Sequence, residues 1–111
     1  MNKKETLQWD IIEKAKENLI EWSKENNARI FTMHFVPMFD FSLEVYVFYE
    51  SDNDIIQNQT NGTTERVKQF FLKVISDLDY MKYFGDSITF VFDSNENIAK
   101  NFEGNYFLRL R

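Results

Sequence analysis

Hydrophobic residues along the chain follow a helical period in two long segments. In residues 6–26 they recur at steps of three and four, with Glu and Lys between them, which predicts an amphipathic helix ending at Asn26 and Asn27. A second stripe follows Thr63 and Thr64, either of which can cap a helix, and ends at Gly85. The apolar residues of this second stripe are Val67, Phe70, Phe71, Val74, Ile75, Leu78 and Met81. Of these, we expect Phe70, Val74 and Leu78 to be buried together.

Four other segments alternate between apolar and polar residues with a period of two, as strands do. They are residues 30–36, 41–50, 87–93 and 105–111. Pro37 ends the first, because proline has no N–H to donate to a sheet ladder. The short connection between the first two predicts an antiparallel hairpin.

The predicted element order is α-β-β-α-β-β in a single α+β domain covering residues 1–111. The simplest arrangement is a four-stranded antiparallel sheet with two helices on one face. The polar segments 51–64 and 94–104 are predicted loops. The other sheet face would then be open, with mixed aromatic and charged side chains that include His34, Tyr46, Phe48, Phe107, Arg109 and Arg111.

Composition limits the chemistry that such a domain can perform. The chain has twelve Phe, one His, no Cys and a formal net charge of -5, so thiol catalysis and disulfides are excluded. An acidic surface repels phosphate backbones and favours a basic partner. Gln8, Asp10 and Glu13 interrupt any apolar signal core, and no run approaches membrane-spanning length, so we expect a cytoplasmic protein without membrane partners.

Candidate catalytic residues are few. His34 lies in the middle of a predicted strand, where a structural role is more common than a catalytic one. The carboxylate pairs Asp77 with Asp79 and Asp52 with Asp54 lie in polar contexts, so both are expected to be solvated. These residues predict a protein that is not an enzyme.

One segment shares its spacing with a calcium loop. Asp93, Asn95 and Asn97 place side-chain oxygens at alternate positions. Ile98 then occupies the sixth position, where the loop needs glycine, and Gly104 occupies the twelfth, where it needs glutamate. We therefore expect no metal and no cofactor.

The aromatic sheet face could stack single-stranded bases, which leaves nucleic-acid binding as an alternative. Charge argues against it, because residues 74–103 hold two lysines against six carboxylates, an excess of four negative charges. We therefore expect no nucleic-acid partner. A homo-oligomeric interaction module that uses the open sheet face, for example as a homodimer, is the stronger alternative.

Three short runs near the C-terminus carry a resemblance to a known class of protein. They are Tyr-Phe-Gly-Asp at 83–86, Val-Phe-Asp-Ser at 91–94 and Phe-Glu-Gly-Asn-Tyr at 102–106. With the acidic character of the chain, these runs resemble small immunity proteins of bacterial toxin–immunity pairs, including those of contact-dependent growth inhibition. The resemblance implies tight, non-catalytic binding to one cognate toxin, often a basic nuclease, whose active site is blocked.

A partner-binding surface of this kind would combine electrostatic capture with an aromatic anchor. For the capture surface we predict the acidic residues of the loops and of the second helix end, namely Asp52, Asp54, Asp86, Asp93 and Glu96. Tyr46 and Phe48 are the alternative anchors, if the partner uses the open sheet face.

Overall fold

A computed structural model describes residues 2–111, and these residues form six helices and three strands. The helices are α1 (Lys3–Glu25), α2 (Asp52–Thr60), α3 (Thr63–Asp77), α4 (Tyr80–Phe84), α5 (Asn95–Asn101) and α6 (Tyr106–Arg109). The strands are β1 (Thr32–Pro37), β2 (Leu43–Tyr49) and β3 (Ile88–Ser94). No helix within this part of the chain has the length and apolar character needed to cross a bilayer.

Helix α1 confirms the first predicted helix and begins three residues earlier. The Asn2 side chain accepts a hydrogen bond from the Glu5 N–H at 2.8 Å, and the Glu5 carboxylate accepts one from the Asn2 N–H at 3.3 Å. This reciprocal cap satisfies two N–H groups that a helix start otherwise leaves unpaired. Asn26 caps the other end, and Asn27 turns the chain away with a φ of 56°.

The sheet contains three strands in the order β1-β2-β3, so the predicted four-stranded antiparallel sheet is wrong. Strands β1 and β2 form the predicted antiparallel hairpin. Strands β2 and β3 instead run parallel, with Val45 opposite Phe90. A parallel pair needs a long crossover between its strands, and helices α2, α3 and α4 provide it.

Part of this crossover is a segment that the hydrophobic pattern predicts to be a loop. Residues 51–64 form α2 and the start of α3. The Ser51 side chain accepts from the Asp54 N–H at 3.2 Å, and Asp54 accepts from the Ser51 N–H at 3.2 Å, which starts α2 with a capping box. Helix α2 has no fully buried residue, so it shows no apolar stripe that periodicity could detect.

Helix α3 is placed correctly, but its buried line differs from the prediction. Val67, Phe71 and Ile75 are fully buried, whereas Phe70, Val74 and Leu78 are half-buried beside them. The predicted line is displaced by one residue, which rotates it by about 100° around the helix. The helix also ends earlier than predicted, because Asp79 adopts a φ of 65° before α4 begins, and Gly85 then caps α4.

The main core lies between one sheet face and helices α1, α3 and α4. Its buried residues from the helices include Ile12, Leu19, Phe71 and Ile75, and those from the strands include Met33, Leu43, Val45 and Val47. Strand β2 is central and buries residues on both of its faces.

The last seven residues do not form the predicted strand. Residues 106–109 form α6, which the Asn105 side chain starts by accepting from the Phe107 N–H at 2.9 Å. Residues 95–111, which we call the C-terminal segment, pack Ile98, Phe102, Tyr106 and Leu110 against the second sheet face. Tyr106 and Leu110 are four residues apart, so they share one face of a helix as well as one face of a strand.

Candidate functional site

The C-terminal segment covers the sheet face that the sequence predicts to be open. Tyr46 is 7% exposed and Phe48 is 0% exposed. The Tyr106 ring meets the Phe48 ring edge to face, with their centroids 4.8 Å apart. The two predicted anchors therefore lie in the interior, and the aromatic face on which the homo-oligomer and nucleic-acid alternatives depended is occupied by the chain itself.

Asp93 joins the C-terminal segment to the sheet. Its carboxylate is 2.6 Å from the Arg109 Nε and accepts two hydrogen bonds from the Asn97 Nδ2, at 3.0 and 3.1 Å. It also accepts from the Ser94 N–H at 2.8 Å. The residue is 7% exposed, so these bonds compensate a charge that is nearly withdrawn from water.

The remaining oxygen groups of the calcium-like spacing are also engaged within the protein. The Tyr106 hydroxyl donates to Asn95 Oδ1 at 2.5 Å, and Asn101 donates to Asn97 Oδ1 at 2.6 Å. Across residues 2–111, no three His, Cys, Asp or Glu side chains are grouped to hold a metal ion.

Asp52 and Glu96 lie with Asp93 where the parallel strands β2 and β3 end, and Asp54 follows in the first turn of α2. The Ser94 hydroxyl donates to Asp52 at 2.5 Å, Asp54 caps its own helix, and Glu96 accepts from the Asp52 N–H at 3.0 Å. Glu96 also lies 3.6 Å from Lys100. Asp86 precedes β3 and therefore lies at the opposite end of the sheet. The structure thus brings four of the five predicted capture residues, all except Asp86, to the same end of the sheet. There their carboxylates are engaged in hydrogen bonds and ion pairs within the protein.

A second acidic surface lies on α1. Glu13, Glu17, Glu21 and Glu25 are all exposed and follow one another at steps of four, and we call them the glutamate ridge. The ion pairs among the described residues are Lys68 with Glu65, Lys100 with Glu96 and Arg109 with Asp93, so none involves the ridge. Like charges at this spacing destabilise a helix. The step of four can be read from the sequence, but there it indicates only the polar face of an amphipathic helix.

Beside the ridge, Trp22 of α1 and Phe70 of α3 form a stacked pair, with ring centroids 5.0 Å apart and ring planes 16° apart. Both side chains are half-buried. They form part of an open depression of about 340 Å³ that Asn18, Glu21 and Glu25 complete. Two carboxylates and two aromatic rings therefore meet at one place on the surface.

A larger depression, of about 500 Å³, lies between α1 and the β1–β2 hairpin. Its lining includes Trp9, Met38, Phe39 and Phe41. Phe39, at the hairpin tip, is fully exposed. Phe41 has a φ of 68°, an unusual conformation for a bulky residue, and the Lys4 Nζ lies 4.3 Å from the centroid of its ring. The tip thus presents a fully exposed aromatic side chain two residues before Phe41, whose ring contacts the Lys4 side chain of α1.

His34 lies beneath the C-terminal segment, with its ring 5.2 Å from that of Tyr106 and 5.9 Å from that of Phe48. Burial lowers the pKa of His34, and the charge of Lys16 lowers this pKa further. Folding therefore favours the neutral imidazole, and this contribution to stability is present above about pH 6.5, the unfolded value. It is lost as the pH falls from there through the folded pKa.

We expect His34→Phe, which keeps an aromatic ring but cannot take up a proton, to remove this pH dependence. The free energy of unfolding of the wild-type protein, measured by urea denaturation, should fall more between pH 7.5 and pH 5.5 than that of the variant. Comparing the two proteins cancels the titration of the carboxylates that they share. A difference between them that stays constant over this range would contradict the prediction.

Comparison of the chain with protein-family models, with curated proteins and with solved structures finds no match.

Proposed function

We propose that this protein is a non-catalytic immunity protein that binds a basic bacterial toxin in the cytoplasm and blocks its active site. The observation that carries the proposal is the glutamate ridge, whose four exposed carboxylates have no ion-pair partner among residues 2–111. The resemblance of residues 83–106 to small immunity proteins supports the same function.

Electrostatics supports a basic partner. The formal net charge is -5, and the ridge concentrates four negative charges along one helix. A surface of one sign can raise the association rate of an oppositely charged protein by about 10- to 1000-fold at low salt. A basic partner would supply the ion pairs that the ridge carboxylates lack among residues 2–111.

An anchor is available at the hairpin tip. Phe39 takes this role in the proposal in place of Tyr46 and Phe48, which are buried. Few interface residues supply most of a binding energy, and large side chains that enter a pocket on the partner are prominent among them. Because Phe39 is fully exposed in the free protein, its burial by a partner would remove its whole ring from water.

The proposal is tested by expressing the chain together with the product of the adjacent upstream gene. The expected results are protection of growth and co-purification of the two proteins. If no toxin gene lies there, or if the chain neither binds nor protects, the proposed function is wrong.

The kinetics of that complex should separate capture from anchoring. Reversing two ridge charges, with Glu17→Lys and Glu21→Lys, should slow association by about tenfold or more at low salt. The matched control reverses the exposed Glu65 and Asp77 of α3, which makes the same change in net charge away from the ridge, and should slow association by less than about threefold. Equal slowing by both pairs would show that the ridge is not the capture surface.

Phe39→Ala should mainly speed dissociation, by about tenfold or more, because it removes an anchor that is buried only in the complex. The free energy of unfolding of the free protein should change by less than about 0.5 kcal/mol, since the side chain contributes no burial there. Surface plasmon resonance and urea denaturation measure the two effects. Unchanged dissociation would exclude the hairpin tip from the interface.

A further inference from the structure

The stacked pair of Trp22 and Phe70 lies at the border between helices α1 and α3. The helices α1 and α3 pack closely along their buried residues, yet these two rings are only half-buried. With Asn18 they form the uncharged part of the depression of about 340 Å³. Each ring therefore keeps surface that a ligand group can contact.

The rest of the lining defines the charge of that ligand. Glu21 and Glu25 are four residues apart on α1, so they lie one turn apart beside the rings. The lining contains no Lys, Arg or His, and neither carboxylate has an ion-pair partner among the described residues. An anion would be repelled by the two carboxylates. An uncharged apolar group would displace water from them without replacing the hydrogen bonds that the water makes.

A guanidinium group satisfies both parts of the depression at once. Its planar face stacks on aromatic rings, while its N–H groups donate to carboxylates in the plane of the group. A lysine ammonium carries the same charge but has no planar face to stack. We propose that this depression, which we call the arginine site, binds an arginine side chain on the basic partner. That this arginine belongs to a protein rests on the proposed function.

The probe for the arginine site is N-acetyl-arginine amide, followed through the indole N–H signals of Trp9 and Trp22 in ¹H–¹⁵N NMR spectra. The variant Trp22→Phe assigns the two signals. Arginine should shift the Trp22 signal with saturation in the millimolar range and leave the Trp9 signal in place. N-acetyl-citrulline amide has nearly the same shape without the charge and should bind about tenfold more weakly, and N-acetyl-lysine amide about threefold more weakly.

A matched pair of variants locates the charge requirement. The double variant Glu21→Gln with Glu25→Gln should reduce arginine binding about tenfold, to the level of citrulline. The control Asp10→Asn with Asp77→Asn makes the same change in net charge at exposed residues outside both the ridge and the depression, and should bind arginine within about twofold of the wild type. Circular dichroism establishes that both variants are folded. Equal binding of arginine and citrulline, or equal loss in both double variants, would overturn the proposal.

Failure of the site and failure of the function give different results. If the chain protects against an upstream toxin but its Trp22 signal does not respond to arginine, the arginine site is wrong and the immunity function stands. If arginine binds with the expected preference but no basic protein partner exists, the immunity function is wrong and the site's chemical selectivity stands.

Discussion

Replacing Phe71 by alanine should lower the free energy of unfolding by about 3–5 kcal/mol, the usual cost of removing a buried aromatic ring. Phe71 is fully buried and joins α3 to the sheet. Its ring stacks on that of Phe35 at 5.7 Å and meets the edge of the Phe90 ring at 5.9 Å. Because the surrounding side chains relax only partly after such a truncation, a cavity should remain. Urea denaturation measures the loss.

The neighbouring Phe70 is the matched control, because it has the same side chain on the same helix but is only half-buried. Phe70→Ala should cost clearly less than Phe71→Ala, since part of its ring is already in water and a partly exposed site leaves a smaller cavity. If Phe70→Ala lowered the free energy of unfolding more than Phe71→Ala does, Phe70 would be the more deeply buried residue. Helix α3 would then face the core with Phe70, Val74 and Leu78, as the sequence pattern predicts.

The second large effect is expected at the ion pair between Arg109 and Asp93. Arg109→Ala should cost about 2–3 kcal/mol, because it leaves a nearly buried carboxylate with only the Asn97 and Ser94 donors. The C-terminal segment should then loosen from the sheet, so its amide hydrogens should exchange faster with solvent. Urea denaturation and hydrogen exchange measure the two consequences.

Arg111→Ala provides the control for this prediction. Arg111 is exposed, and it has no ion-pair partner among the residues that the structure describes, so its loss should change stability by less than about 0.5 kcal/mol. Combining Arg109→Ala with Asp93→Asn should recover part of the lost stability, since the buried group is then uncharged. If Arg109→Ala and Arg111→Ala behave alike, the ion pair does not hold the C-terminal segment.

Some elements of the fold are predictable because their signals are local. Helix α1 is long and amphipathic, and the polar residues that end it are adjacent in the chain. The β1–β2 hairpin follows from two alternating segments and a short connection. In each case the residues that specify the element are neighbours in sequence, so their pattern survives without knowledge of the rest of the chain.

The direction of β3 has no such local signal. Its residues alternate in the same way whether the strand runs parallel or antiparallel to β2, and the path of the crossover decides between them. The prediction failed there because α2, a surface helix with no fully buried residue, looked like a loop. In residues 105–111, the pair Tyr106 and Leu110 fits either period, and seven residues are too few to distinguish them.

The candidate binding surfaces also combine features that the sequence shows with features that depend on tertiary packing. The step of four between Glu13, Glu17, Glu21 and Glu25 is present in the sequence, so the ridge was available to prediction once α1 was recognised. Its lack of ion pairs and its meeting with Phe70, 48 residues beyond Trp22, depend on how α1 packs against α3. Likewise, Asp93 resembles a metal ligand by spacing, and only the folded chain brings Arg109 to it from 16 residues away.

The sequence by itself determined the mixed α and β composition of this protein, its acidic surface and the buried face of α1, since these follow from residue types and short-range periodicity. The tertiary structure decided the sheet topology, the burial of Tyr46 and Phe48, and which carboxylates remain unpaired. Those features depend on contacts between residues distant in the chain, where several arrangements satisfy the same local pattern and only the packing of the whole domain selects one of them.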